Sequence, residues 1–160
     1  LVIVNAAQGN MHAATMDEPT DSYWSLFDER LAGAGVDPDQ VQVVWTKSTY
    51  EGELTSGDFP ERMDAFRASL RGIVGVLRAR CPNLQLIFIS SRIWTADPLR
   101  ATFAYETAFA MKGLIQDQLD DVWRDEHVAP GHALWQQRGQ RDRRRREAPD
   151  GQHERARRQP

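Results

Sequence analysis

The 160-residue chain is 41% hydrophobic and 9% aromatic, a globular composition with enough apolar surface for one core. No apolar run approaches the ~20 residues of a membrane span, and no signal-peptide pattern is visible. The single cysteine, Cys81, excludes an intrachain disulfide and a Cys-based zinc site, and just before Pro82 it reads as a small, semi-buried residue.

In chain order, "LVIV" (Leu1–Val4) reads as a buried strand that starts without any polar lead-in, which predicts a preceding segment. It runs into the turn Asn5-Ala6-Ala7-Gln8-Gly9-Asn10. Thr20 and Asp21 then suit an N-cap, and Tyr23, Leu26, Phe27 and Leu31 share a helix face that ends at Gly33 and Gly35. After Pro38, "VQVVW" (Val41–Trp45) predicts a second strand. Met63, Phe66, Leu70, Ile73, Val74 and Leu77 recur at spacings of three and four, the mark of an amphipathic helix. "LQLIFIS" (Leu84–Ser90) is a near-continuous apolar run, as in a strand covered on both faces. A last helix is predicted from Phe103 to about Trp123, with Ala104, Ala108, Met111, Ile115, Leu119 and Val122 as its apolar stripe.

The formal net charge of −3 conceals a split. Residues 1–137 carry 11 Lys+Arg against 19 Asp+Glu, or −8, whereas residues 138–160 carry 9 Arg against 4 acids, or +5. From Gln136 onward no Leu, Ile, Val, Phe, Met, Trp or Tyr occurs, too little apolar surface to offset the entropy of ordering. The organisation predicted is therefore an α/β domain over residues 1–130 and an Arg-rich disordered tail over 136–160. Such a tail, in a chain with 18 Arg against 2 Lys, is also what a shifted frame in a GC-rich gene produces.

Strands alternating with amphipathic helices imply βαβ crossovers and a parallel sheet. Ligands of such sheets bind beyond the carboxyl ends of the strands. That rule selects the loops beginning at Asn5–Asn10, Thr46–Thr49 and Ser90–Trp94. No P-loop or dinucleotide fingerprint is present, and His12, His127 and His132 lack metal-ligand spacing, so neither cofactor nor metal is expected.

Four stretches over residues 1–125, "VNAAQGN", "QVQVVWTK", "PNLQLIFISSRIW" and "FAYETAFAMKGLI", together resemble the SGNH (GDSL-type) hydrolases. The nearest likeness is a bacterial branch with AQGG, QVQVVWLK, SSRIY and AYESGFAVKWLI-type motifs. The resemblance implies a three-layer, flavodoxin-like parallel sheet, here incomplete and lacking its first strand. It also implies a serine esterase acting on small-molecule or carbohydrate esters. In that family a Ser on the first strand attacks the acyl carbon, a His from a late Asp-x-x-His block takes its proton, and the Asp orients the His. Backbone and side-chain donors form the oxyanion hole.

Carried onto this chain, Gly9 matches the oxyanion-hole glycine, with the alternative that it only turns the chain. Asn5 matches the leading Asn of that block, and Asn10 follows on the substrate side. Where the family's third block offers Gly-x-Asn, this chain reads Thr46-Lys47-Ser48-Thr49, so Lys47 is either a variant donor or a solvated strand end. Ser91 and Arg92 fall on the substrate-side wall, Arg92 alternatively pinning its loop. "APDGQHERARRQP" holds Asp150 and His153 at the spacing of the acid–base block, without the Pro-Ser and helix that follow it in the family. The nucleophile block itself does not occur in the chain, which predicts an inactive fragment. Glu106, one turn into the last helix, suits the helix dipole or fixes a loop. A competing class is nucleic-acid binding by the nine tail arginines, with dissociation constants on the order of 10⁻⁴ to 10⁻⁶ M; the acidic body and the absence of tail aromatics oppose it.

Overall fold

The computed structural model describes residues 1–50, 58–90, 101–120 and 128–130. Their elements are α1 (Tyr23–Gly33), β1 (Val43–Lys47), α2 (Glu61–Arg80), β2 (Leu86–Ser90), α3 (Ala101–Leu119) and β3 (Val128–Pro130), with 3-10 turns at Ala13–Thr15 and Pro38–Gln40. The alternation of helix and strand makes this an α/β arrangement. Its parallel sheet has the order β1-β2-β3, with Val43 opposite Leu86, Lys47 opposite Ser90, and Ile87 opposite Val128.

Each helix follows from local sequence. In α1 the expected cap differs: Asp21 accepts a hydrogen bond from the Glu18 amide (2.8 Å), so its carboxylate faces backwards and the helix begins at Tyr23. At the other end Gly35 takes φ +67°, and the Val36 amide reaches back to the Leu31 carbonyl (3.0 Å). That six-to-one bond needs a left-handed residue, which glycine supplies without a Cβ clash. α2 carries Glu61 and Asp64 in its first turn and Arg78 and Arg80 in its last, each sign where the helix dipole favours it. All six of its predicted apolar positions are buried. Gly72 lies against the loop after the first 3-10 turn, where a Cβ would stand 2.6 Å from the Asp17 carbonyl oxygen. Arg80 fastens α2 to α1 through Asp28 (2.7 Å) and lies 5.4 Å from the Trp24 ring.

The sheet departs from expectation in two respects. Leu1–Val4 joins no ladder among the described residues. Leu1, Val2 and Ile3 are exposed, and only Val4 and Ala6 pack against the core. The strand expected beside β1 is therefore an extended segment, tethered by Arg30 to the Asn5 carbonyl (3.2 Å) and by the Tyr23 hydroxyl to that of Ala6 (3.3 Å). An apolar run becomes a strand only when a partner edge satisfies its amides; the outer edge of β1 carries no ladder among the described residues, and Leu1–Val4 does not pair with it.

The second departure concerns coverage. Ile87 and Ile89 belong to one buried cluster with residues of α1, α2 and α3, and Val44 packs against it. On the opposite face Val43 and Trp45 are 56% and 69% exposed, and Leu86 and Phe88 only half-buried. The physical reason is topological. When strand order follows chain order, right-handed crossovers deliver their helices to the same face. Two-sided coverage needs a reversal of strand order, and the described strands contain none.

Candidate active site

The carboxyl end of the sheet is where the candidate residues can be compared. Lys47 closes β1, is exposed, and lies in register with Ser90 at the end of β2. Alternation along the strand puts Lys47 on the open face with Val43 and Trp45. Ser90 is half-buried, with its hydroxyl 3.5 Å from the Thr46 carbonyl oxygen, an arrangement that ties the two strand ends together.

The N-terminal loop arrives at the same end. The Ala13 amide donates to the Thr49 carbonyl (2.8 Å), joining that loop to the exit of β1. Upstream, the Asn5 side-chain oxygen accepts from the Ala7 amide (3.0 Å), so it shapes its own turn. Gly9 is exposed, and a Cβ placed on it would meet nothing within 4 Å. The left-handed residue of the turn is Asn10, at φ 63°. The protein itself does not crowd Gly9 and its φ is not positive, so neither space nor backbone conformation demands glycine there. The conformational demand falls on Asn10, a residue type that tolerates that region. Ser91, Arg92, Asp150 and His153 lie outside the described residues, as does the Arg-rich tail.

Behind this edge is a buried polar cluster. The Tyr50 hydroxyl donates to Glu106 Oε2 (2.6 Å), and Arg62 Nε donates to the same oxygen (2.6 Å). Arg62 Nη2 pairs with Oε1, completing a two-pronged clasp of the carboxylate. The Arg62 and Glu106 side chains are only 11% and 7% exposed. Burial alone pushes the Glu106 carboxyl up. The hydrogen bonds from Arg62 and Tyr50, with the guanidinium charge, outweigh it and hold the group below its ordinary value. Glu106 is thus an ionised, fully engaged group that fixes a loop, rather than an exposed dipole partner.

Tyr50 and Arg62 escaped the sequence reading, whereas Glu106 was given a place one turn into its helix with loop fixing as one of two roles, without its partners. The buried stripe of α3 runs through Ala104, Thr107, Ala110, Met111 and Leu114, with Glu106 beside it, whereas the predicted Ala108, Ile115 and Leu119 are half-buried or exposed. The spacing Glu106, Ala110, Leu114 was the available signal. A carboxylate at four-residue intervals from buried positions needs a buried cation, and Arg62 supplies it. Cys81 is fully buried, and burial with the nearby Asp28 charge pushes its thiol up, away from nucleophilic use.

Among the described residues, no group of three His, Cys, Asp or Glu side chains converges to hold a metal ion, and no helix is long and apolar enough to cross a membrane. No protein-family model, curated protein or solved structure matches the chain.

Proposed function

We propose that the chain is part of an SGNH-type serine esterase, with the carboxyl end of the parallel sheet as its substrate side. The observation that carries the reading is the Ala13–Thr49 hydrogen bond, which brings the loop bearing Gly9 to the exit of the strand bearing Lys47. These are the two loops from which oxyanion donors are expected, and a parallel sheet presents ligands there. In this reading the Gly9 amide and the Lys47 ammonium stabilise the developing oxyanion. Asn5 and Asn10 shape the turn on the substrate side, with Ser91 and Arg92 on the facing wall. Asp150 and His153 are the candidate acid–base pair. Lys47 supplies a full charge where the family uses an amide, so it acts by Coulombic attraction more than by fixed geometry.

The larger architecture proposed is a three-layer, flavodoxin-like sheet of which the described strands are part. The apolar open face of Val43, Trp45, Leu86 and Phe88 supports it, because such side chains suit cover by further helices. Substrates are esters of small molecules or carbohydrates. The 160 residues hold no nucleophile block, and the triad acts as a unit. The chain alone should therefore turn over p-nitrophenyl acetate only at background. Joined to a strand bearing a Ser block and to an in-frame Asp-x-x-His block, it should gain esterase activity. In that protein Lys47→Met should lower kcat by about 10²-fold, the usual cost of one oxyanion donor. Turnover by the 160-residue chain itself, abolished by Ser90→Ala, would overturn the assignment of the nucleophile.

A further inference from the structure

The buried cluster and the N-terminal loop are linked by an unbroken run of contacts. Glu106 on α3 holds the Tyr50 hydroxyl at 2.6 Å while Arg62 of α2 clasps both carboxylate oxygens. Tyr50 is 5% exposed, and its ring meets Phe66 edge-on at 6.1 Å, so its side chain is anchored from two helices. The residue before it, Thr49, accepts the Ala13 amide at 2.8 Å. Ala13 is 1% exposed and Ser48 4%, with Thr49 half-buried, so the junction is largely shielded from water. In such a setting each hydrogen bond depends on its neighbours, and losing one leaves a donor or acceptor buried without a partner.

We infer that Glu106 is a positioning residue: by gripping Tyr50 it fixes the exit of β1 and, through Thr49, locks the N-terminal loop onto the carboxyl end of the sheet. The carboxylate's partners among the described residues are Tyr50 and Arg62, neither of them in the N-terminal loop. It acts through Tyr50, and the covalent step to Thr49 passes the restraint to Ala13. Rigid placement of this kind is what donors aimed at a reacting oxygen require, since a looser shell forfeits the alignment. The catalytic use of the lock rests on the esterase reading above; the lock itself does not.

Amide hydrogen exchange on the intact chain separates the two. Local opening at Ala13 must break the Glu106 cluster if the loop is locked to it, while the more distant Arg71–Asp117 pair stays closed. Glu106→Gln should therefore speed exchange of the Ala13 amide at least about tenfold, and Tyr50→Phe, which removes one hydroxyl, about fivefold. Asp117→Asn should leave it within about twofold of the parent. A general loss of stability would instead speed the buried α2 amides of Ile73 and Val74 in Glu106→Gln by the same factor as Ala13, and an equal factor there overturns the inference. Equal acceleration by Asp117→Asn, or no acceleration by Tyr50→Phe, overturns the inference. Should Glu106→Gln not fold, the comparison of Tyr50→Phe with Asp117→Asn decides alone. The outcome is independent of the esterase reading, which stands or falls on turnover of p-nitrophenyl acetate.

Discussion

α2 and α3 run in the same direction and are pinned together twice, by two charge clusters in contrasting surroundings. Near their N-termini Arg62 meets Glu106, with side chains 11% and 7% exposed and Tyr50 as a third member. Roughly two to three turns on, by the rise of 1.5 Å per residue about 15 Å away, Asp117 is shared by Arg67 (3.3 Å) and Arg71, both arginines 31% exposed. Arg67 also reaches Asp64, whose side chain is 64% exposed. The same chemistry is used at both places, yet the consequences differ. At the outer cluster Asp117 is itself only 13% exposed, but the two arginines it would leave behind are partly open to water, whereas at the inner one a lost Glu106 leaves the Arg62 charge in a dry site. The inner pair also holds a loop, while the outer one joins two helices.

The sharpest break of this contrast is to remove each carboxylate. Glu106→Ala leaves the buried Arg62 guanidinium without its clasp and should cost about 3–5 kcal/mol of unfolding free energy. Asp117→Ala should cost no more than about 1 kcal/mol, because partly exposed pairs contribute little. Urea unfolding of both variants checks this, and equal losses would mean that burial does not separate the clusters.

A weaker test uses acid. Glu106 is held below its ordinary value in the folded protein, so the unfolded chain takes up this proton first as pH falls. Its contribution is then fully present above the unfolded value of about 4.5 and is lost as pH drops through the lower folded value. The stability gap between the parent and Glu106→Gln should be constant above that pH and narrow below it. A gap that widens on acidification would show that the carboxyl is not ionised in the fold.

How far these features could be read in advance depended on contrast along the chain. In α2, large apolar residues alternate with charges, so Met63 to Leu77 stand out and all are buried. In α3, alanines dominate, and small side chains mark the inner face poorly, which is why Ala104 and Met111 of the expected stripe are buried while Ala108, Ile115 and Leu119 are not. β1 was expected over Val41–Trp45 but forms over Val43–Lys47. Val41 is engaged in closing the Pro38–Gln40 turn, its amide donating to the Pro38 carbonyl (3.2 Å), and the ladder extends to Lys47 because Ser90 is there to pair with it. β3, Val128–Pro130, carried no signal: three residues with a proline become a strand only because β2 offers its second edge. Of the three loops picked by the rule about strand ends, the one after Lys47 follows a strand, the Asn5–Asn10 turn follows an extended segment that joins no ladder among the described residues, and the third lies outside them beyond Ser90. The buried cluster was not legible, since Tyr50, Arg62 and Glu106 are far apart in sequence and meet only through packing.

The smallest effect is expected at Gly113, where two terms of similar size oppose. An added Cβ would come within 2.6 Å of Arg67 Nη1 and 3.2 Å of its Cδ. Both atoms belong to a flexible side chain, so Arg67 can swing away at the expense of its contact with Asp117. That contact is partly exposed and contributes about 0–1 kcal/mol. Against it, alanine is favoured over glycine inside a helix by about 0.8–1.0 kcal/mol. Gly113→Ala should therefore change stability by less than about 0.5 kcal/mol, with the two terms nearly cancelling. Placing the same substitution in an Arg67→Ala background removes the clash and should uncover the full gain from alanine. If Gly113→Ala is instead strongly destabilising in the parent and harmless in that background, Arg67 is held far more rigidly than its exposure implies. The outer cluster would then resemble the inner one, and the contrast between them would fail.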